Sequence, residues 1–283
     1  LLGGLAVVTG LCMTLAWDAF RNGLSMDDGG WSEIAVTAHR GSSKDAPENT
    51  MAALETAVEQ MADSVEVDVQ ETRDGVLVLA HDSSLRRTTG RNGRLADLDY
   101  AELAQLDAGS WFSKEYAGEP VPTLQEAVEF CKGRIFMNIE LKSLGDGSDL
   151  PERVAALVEE NDMLEQCVIT STSLKYLRRV KEANPEIRTG YIVSAAYGDY
   201  YKEEYVDFIS MLSTSLSARL VDAVHGEGKA VHAWTVNSKP ELRRMRQLGV
   251  DNVITDYPVY AREVLYEMDE GTEFLEKLLM MLR

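Results

Sequence analysis

Basic charge is scarce in this chain. Its 283 residues carry 28 Lys and Arg against 47 Asp and Glu, a net charge of -19. Nucleic-acid backbones are held by a surplus of Lys and Arg, so this balance argues against nucleic acid as a partner. Cysteine is scarce too. Cys12, Cys131 and Cys167 show no paired spacing, which leaves buried free thiols rather than a disulfide framework or a zinc site. There is no internal repeat or low-complexity tract, and a hydrophobic content of 45% can fill one full core. A single barrel domain of about 250 residues would use nearly all of the chain. Charge is missing altogether from Leu1 to Trp17, where Gly3, Gly4, Thr9 and Gly10 are small residues that membrane helices tolerate. The run falls slightly short of the about 20 residues that span a bilayer, and it lacks the basic n-region of a signal peptide. Residues 1–20 are expected to be the end of a transmembrane helix and 21–32 a linker, which puts the protein at the cell membrane. The single Arg21 gives the positive-inside rule almost nothing to count, so the extracytoplasmic side is one candidate for the domain that follows.

From Ile34 onward, strand-like runs alternate with helical patterns, the signature of parallel α/β construction. The runs Ile34 to Ala38, Val65 to Val69, Ile135 to Leu141, Val168 to Ser171, Thr189 to Val193, Phe208 to Met211, Ala230 to Trp234 and Val253 to Thr255 make eight parallel strands. Val76 to Ala80 is then an antiparallel hairpin partner of the second, across the turn composition Glu71-Thr-Arg-Asp-Gly75. A turn centred near Arg73 and Asp74 would put His81 roughly opposite Glu66 and Leu79 roughly opposite Asp68. The expected fold is a TIM-type (β/α)8 barrel over residues 33–268, with a small insertion at about 83–120 after the second strand. The insertion is rich in Gly, Arg and Asp, and either shapes access to the barrel mouth or stabilises the domain. Residues 269–283 read as a C-terminal amphipathic helix.

Glu66 and Asp68 alternate with Val65, Val67 and Val69, so a strand there points both carboxylates to one face. Like charges so close to apolar neighbours repel and lose hydration, and a divalent ion bound through oxygen is the least costly compensation. A half-exposed strand with a polar face has the same pattern. Glu140 and Lys142, two apart, share a face in the same way, and His39 and Arg40 follow the first strand. In a barrel, the carboxyl ends of the strands gather His39, Glu66, Asp68, Glu140, Lys142 and Trp234 at one mouth. Asn49 and Thr50 read as caps of the first helix, His225 and His232 as structural, and Asp256 as fixing a loop.

The motifs His39-Arg-Gly41, Pro47-Glu-Asn-Thr50, Glu66-Val-Asp68, Thr72-Arg-Asp-Gly75, His81-Asp82, Arg87-Thr-Thr89, Pro122-Thr-Leu124, Glu140-Leu-Lys142, Trp234-Thr-Val-Asn237 and Ile254-Thr-Asp-Tyr-Pro258 occur in one order along the chain. In that order, from about Ile34 to Pro258, the sequence resembles the glycerophosphodiester phosphodiesterase family. It departs from that pattern at Ile169-Thr-Ser-Thr-Ser173, where many members carry a serine followed by phenylalanine, and in the loose loop Gly145-Asp-Gly-Ser148. The resemblance implies metal-dependent hydrolysis of glycerophosphodiesters to glycerol 3-phosphate and an alcohol. Glu66, Asp68 and Glu140 would hold one divalent cation, Mg2+ or Ca2+ from their hard oxygens. Arg40 and Lys142 would bind phosphate oxygens and His39 and His81 would be the acid-base pair, while Trp234, at the end of a barrel strand, either fills the core or stacks on the glycerol. In the resembled family the neighbouring glycerol hydroxyl attacks first, giving a cyclic phosphate that water opens. A lysolipid or teichoic-acid-type substrate, suggested by the membrane segment, and a non-catalytic membrane-tethered binding domain are the alternatives.

Overall fold

The computed structural model describes residues 34–142 and 148–266. The expected membrane helix, its linker and the C-terminal amphipathic helix lie outside the described residues. No helix among the described residues is long and apolar enough to cross a membrane.

Eight parallel strands close into a barrel: β1 (Ala35–Ala38), β2 (Ser64–Glu71), β4 (Phe136–Leu141), β5 (Cys167–Ser171), β6 (Arg188–Val193), β7 (Phe208–Leu212), β8 (Ala230–Trp234) and β9 (Asn252–Thr255). Closure is made by β9 on β1, where Ala38 pairs with Thr255. Helices cover the outside: α1 (Met51–Glu59), α4 (Leu124–Cys131), α5 (Leu150–Glu160), α6 (Leu174–Ala183), α7 (Ala218–Gly226), α8 (Lys239–Leu248) and α9 (Pro258–Tyr266). Their starts follow capping chemistry. Thr50, Ser173, Ser217 and Ser238 each accept a backbone N–H of the first turn, and Thr123 forms a capping box with Glu126.

Strand alternation sorts the side chains. Val65, Val67, Val69, Met137, Ile139 and Leu141 point outward and are buried beneath the helices, as are Val231, Ala233 and Val253 on the far side. The alternate residues fill the barrel. Val168, Phe208 and Ala230 form an apolar plug, with His232 stacked on Phe208 at 4.2 Å between ring centres. Beside it, Ser64 and Asn252 each bond to the Thr37 hydroxyl through their side chains. The acidic residues of β2 and β4 occupy this interior face as well, which places them toward the mouth rather than in the helix-covered core.

The hairpin strand β3 (Leu77–Leu79) pairs antiparallel with the upper end of β2, which the four-residue β1 is too short to reach. Its register is one residue away from that expected. Leu79 lies opposite Val69, not Asp68, because the turn runs from Thr72 to Val76 and closes with Thr72 N–H on Val76 C=O. Apolar Leu79 thus joins Val69 on the buried outer face. His81 lies beyond the end of β3 and reaches the mouth from a loop.

Between β3 and α4 the chain makes two short α-helices, α2 (Arg86–Thr89) and α3 (Tyr100–Leu103), and two single-turn 3-10 helices, Leu95–Asp97 and Lys114–Tyr116. They close a small core of their own, with Leu85, Leu95, Leu98, Leu103, Ala108 and Val121 packed on Val78. Of the three cysteines, Cys131 and Cys167 are buried free thiols, and Cys12 lies outside the described residues.

Candidate active site

Asp68 and Glu140 are register partners on adjacent parallel strands, so their side chains emerge side by side at the mouth. With Glu66, two residues back on the same face, they bring one oxygen each to within 4.8 Å of one another. Glu66 and Asp68 are buried, at 4% and 1% exposure. Burial and the neighbouring charge of Asp68 push the Glu66 carboxyl up to about 8, and burial with the same charge raises Glu140. Burial raises Asp68 too, but Lys142, Arg40 and His81 outweigh it and hold this carboxyl below its ordinary range.

Several groups surround the three carboxylates. Lys142 Nζ lies 3.0 Å from Asp68 Oδ1 and donates to Glu140 Oε1 at 2.8 Å. Arg40 Nε lies 3.4 Å from Asp68 Oδ2, while its Nη1 donates to Glu48 at 2.8 Å. The backbone of Arg40 is left-handed, with φ 57°, and in that conformation its N–H donates to Glu66 Oε2 at 2.9 Å. Gly41 follows at φ 76°, where a Cβ would come within 2.6 Å of Ala53. Glu66 Oε1 is left buried with no hydrogen-bond partner among the described residues.

A buried carboxylate oxygen without a donor is costly unless a cation takes it. Two oxygens on one calcium ion, at about 2.3–2.6 Å each, stand no more than about 5 Å apart. The spacing and chemistry of Glu66, Asp68 and Glu140 therefore fit one hard divalent cation.

Two histidines face this cluster, and both are oriented by an aspartate. His39, just past β1, has Nδ1 at 2.7 Å from Asp256 Oδ1 and Nε2 at 4.0 Å from Glu66. His81 Nδ1 lies 2.8 Å from Asp82 Oδ1, and the charge of His81 is felt at both Asp68 and Glu140. In each pair the carboxylate fixes the proton on Nδ1 and leaves Nε2 to exchange one. Burial lowers the affinity of His39 for its proton, but Asp256 and Glu66 more than offset this and raise it overall. Beside His39, an open cleft of about 230 Å³ is lined by Arg40, Ser43, Lys44 and Tyr257 among others.

The structure thus brings His39, His81, Arg40, Lys142, Glu66, Asp68 and Glu140 together at one mouth. Trp234 ends β8, and its buried Nε1 has no hydrogen-bond partner among the described residues. Sequence reasoning missed the supporting residues. Asn49 does more than start a helix: its amide donates to Asp68 Oδ2 at 2.8 Å and its Oδ1 accepts the Asp68 N–H at 3.0 Å. Asp256 orients His39 and is itself held by Asn237 Nδ2 at 2.6 Å. Glu48 and Asp82 anchor Arg40 and His81. Each stands inside a motif quoted above, but only Asp82 is the sequence neighbour of the residue it supports.

Comparison with known proteins agrees with this geometry. The model of the glycerophosphoryl diester phosphodiesterase family matches residues 39–260. A glycerophosphodiester phosphodiesterase of Caldanaerobacter subterraneus subsp. tengcongensis is 36% identical over 230 residues, covering 79% of this chain and 94% of its own. One from Bacillus altitudinis is 31% identical over 243 residues, covering 82% of this chain and 98% of its own. Among solved structures, an Oleispira antarctica phosphodiesterase in complex with the product sn-glycerol-3-phosphate is similar with a TM-score of 0.74 and 34% identity, over 82% of this chain and 96% of that one. The chain belongs to the glycerophosphoryl diester phosphodiesterase family and is an enzyme of that class.

Proposed function

We propose that this enzyme hydrolyses glycerophosphodiesters to glycerol 3-phosphate and an alcohol, with His39 and His81 moving the protons and Glu66, Asp68 and Glu140 holding one Mg2+ or Ca2+ ion. The observation that carries this reading is the convergence of the three carboxylates with two aspartate-oriented imidazoles at the barrel mouth. A phosphodiester is an anion that resists nucleophiles, so the site must neutralise charge, activate an oxygen and protonate the leaving group. When bound, the cation would supply Lewis-acid stabilisation of the phosphate charge. Arg40 and Lys142 would orient the non-bridging oxygens, at the expense of part of their present contacts with Glu48, Asp68 and Glu140. One histidine Nε2 takes the proton of the adjacent glycerol hydroxyl as it attacks phosphorus. The other protonates the departing alcohol, and the roles reverse when water opens the cyclic phosphate. Trp234, at the end of β8, would stack on the glycerol.

The test is product identification by phosphorus NMR on a panel of glycerophosphodiesters and lysolipids. Release of glycerol 3-phosphate, lost in chelator and regained with Mg2+ or Ca2+, is the expected result. Lysophosphatidate appearing in place of glycerol 3-phosphate would move the substrate class to lysolipids. Attachment to the cell membrane through residues 1–20 is part of the same proposal and rests on the uncharged run Leu1 to Trp17. Recovery of the full chain in a washed membrane fraction, and its release when that run is removed, is the corresponding check.

A further inference from the structure

Arg87, from the Arg87-Thr-Thr89 motif on α2, has no part in the chemistry above, yet its guanidinium lies behind both halves of the site. Its Nη1 and Nη2 donate to Glu48 Oε2 and Oε1 at 2.6 and 2.8 Å, and its Nε donates to Asp82 Oδ2 at 2.6 Å. The other oxygen of Asp82 holds His81 Nδ1 at 2.8 Å, and Glu48 Oε1 also receives Arg40 Nη1 at 2.8 Å. One planar group therefore joins the carboxylate behind a histidine to the carboxylate behind an arginine.

We propose that Arg87 is a positioning residue that sets His81 and Arg40 relative to each other, so that the inserted segment completes the active site rather than merely covering it. The inference rests on the functional reading of His81 and Arg40 given above. Two carboxylates gathered on one cation separate when the cation is removed, and each takes its histidine or arginine with it. Arginine is required because three donors in one plane meet Glu48 and Asp82 at the same time; an ammonium is a single point that cannot make both contacts in this geometry. The base of Arg87 is firm. Leu85 packs in the small core with Val78 and Leu95, and Thr89 Oγ1 donates to Leu85 C=O at 2.7 Å. The Arg87 side chain is nonetheless 40% exposed, so a small solute can reach the place it would vacate.

The experiment compares wild type, Arg87→Ala and Arg87→Lys by steady-state kinetics on a glycerophosphodiester, with circular dichroism to normalise for folded protein. For Arg87→Ala, kcat is expected to fall about 10–100-fold, the scale seen when a supporting partner is lost, and KM to rise. Millimolar guanidinium should restore part of kcat, and ammonium at the same concentration should not. Arg87→Lys keeps the charge and supports folding, and is expected to remain at least about 10-fold below wild type. Asp82→Asn combined with Arg87→Ala should cost clearly less kcat than the two separate losses multiplied together, because both act through His81 while Arg87 alone also acts through Glu48 and Arg40. Unchanged kcat in folded Arg87→Ala, full activity of Arg87→Lys, or strictly additive losses with Asp82→Asn would overturn the inference. An inactive wild type would instead defeat the functional reading on which it rests.

Discussion

The Asp256 carboxylate grips His39 across the seam that closes the barrel: Oδ1 lies 2.7 Å from Nδ1, between residues 217 apart in the chain. Asn237 and Ser43 hold the same carboxylate at 2.6 and 3.2 Å. Replacing the charge by an amide in Asp256→Asn permits the wrong tautomer of His39 and frees its ring. A fall in kcat of about 100-fold or more is expected, with KM changed far less. Steady-state kinetics decide, and wild-type kcat in this variant would remove Asp256 from the mechanism.

In the cation-free enzyme the stability that Glu66 contributes should be lost as pH rises. Glu66 keeps its proton in the folded state up to about 8, whereas the unfolded chain releases it near the ordinary value of 4.5. Between those two values the folded state binds more protons than the unfolded one, so increasing pH favours unfolding. The contribution is full below 4.5 and gone above about 8. Melting temperatures measured in chelator should decline in wild type relative to Glu66→Gln across this window, a difference that cancels His232, which burial lowers to about 3 and which acts in the opposite direction up to 6.5. Parallel curves for the two proteins would contradict the assignment.

Gly190 on β6 lies against the Phe208 ring, and a Cβ there would stand 2.2 Å from the ring atoms. Gly190→Ala overpacks the barrel plug and should cost about 1–3 kcal/mol. For a domain of this size the melting temperature falls by roughly 2–12 °C, which calorimetry can read. An unchanged melting temperature would mean that the plug is looser than described.

Burial pushes the Cys131 thiol up to about 12 and Cys167 higher still. Neither ionises near neutral pH, so both should resist a thiol-specific reagent in the native protein and react only on unfolding. Rapid labelling of either in the folded enzyme would count against the core.

Most of the fold was legible because strand burial and helix periodicity are local. The runs at Val65 to Val69 and Ile135 to Leu141 are apolar on the helix-covered face and acidic on the other, and the strands β2 and β4 lie there. The hairpin register was off by one because it depends on how many residues the turn consumes. Thr72 to Val76 takes five, centred on Asp74, and the alternation of Leu77 to Leu79 alone does not count them. The chemistry-bearing side chains were visible as residue types at strand ends. Their partners were not, since Asp256 meets His39 only when β9 pairs with β1, and Asn49 meets Asp68 only because its left-handed backbone, φ 56°, turns the amide inward. Such contacts come from barrel closure and loop geometry, which no local pattern encodes.

The most direct measurement is calorimetric titration of Mg2+ and of Ca2+ into chelator-stripped enzyme, with glycerol 3-phosphate release followed in the same samples. Wild type should take up one equivalent of at least one of these ions and regain activity in proportion to it, while Glu66→Gln should bind at least about 10-fold more weakly. Full turnover in the stripped enzyme, or equal uptake by Glu66→Gln, would contradict the account.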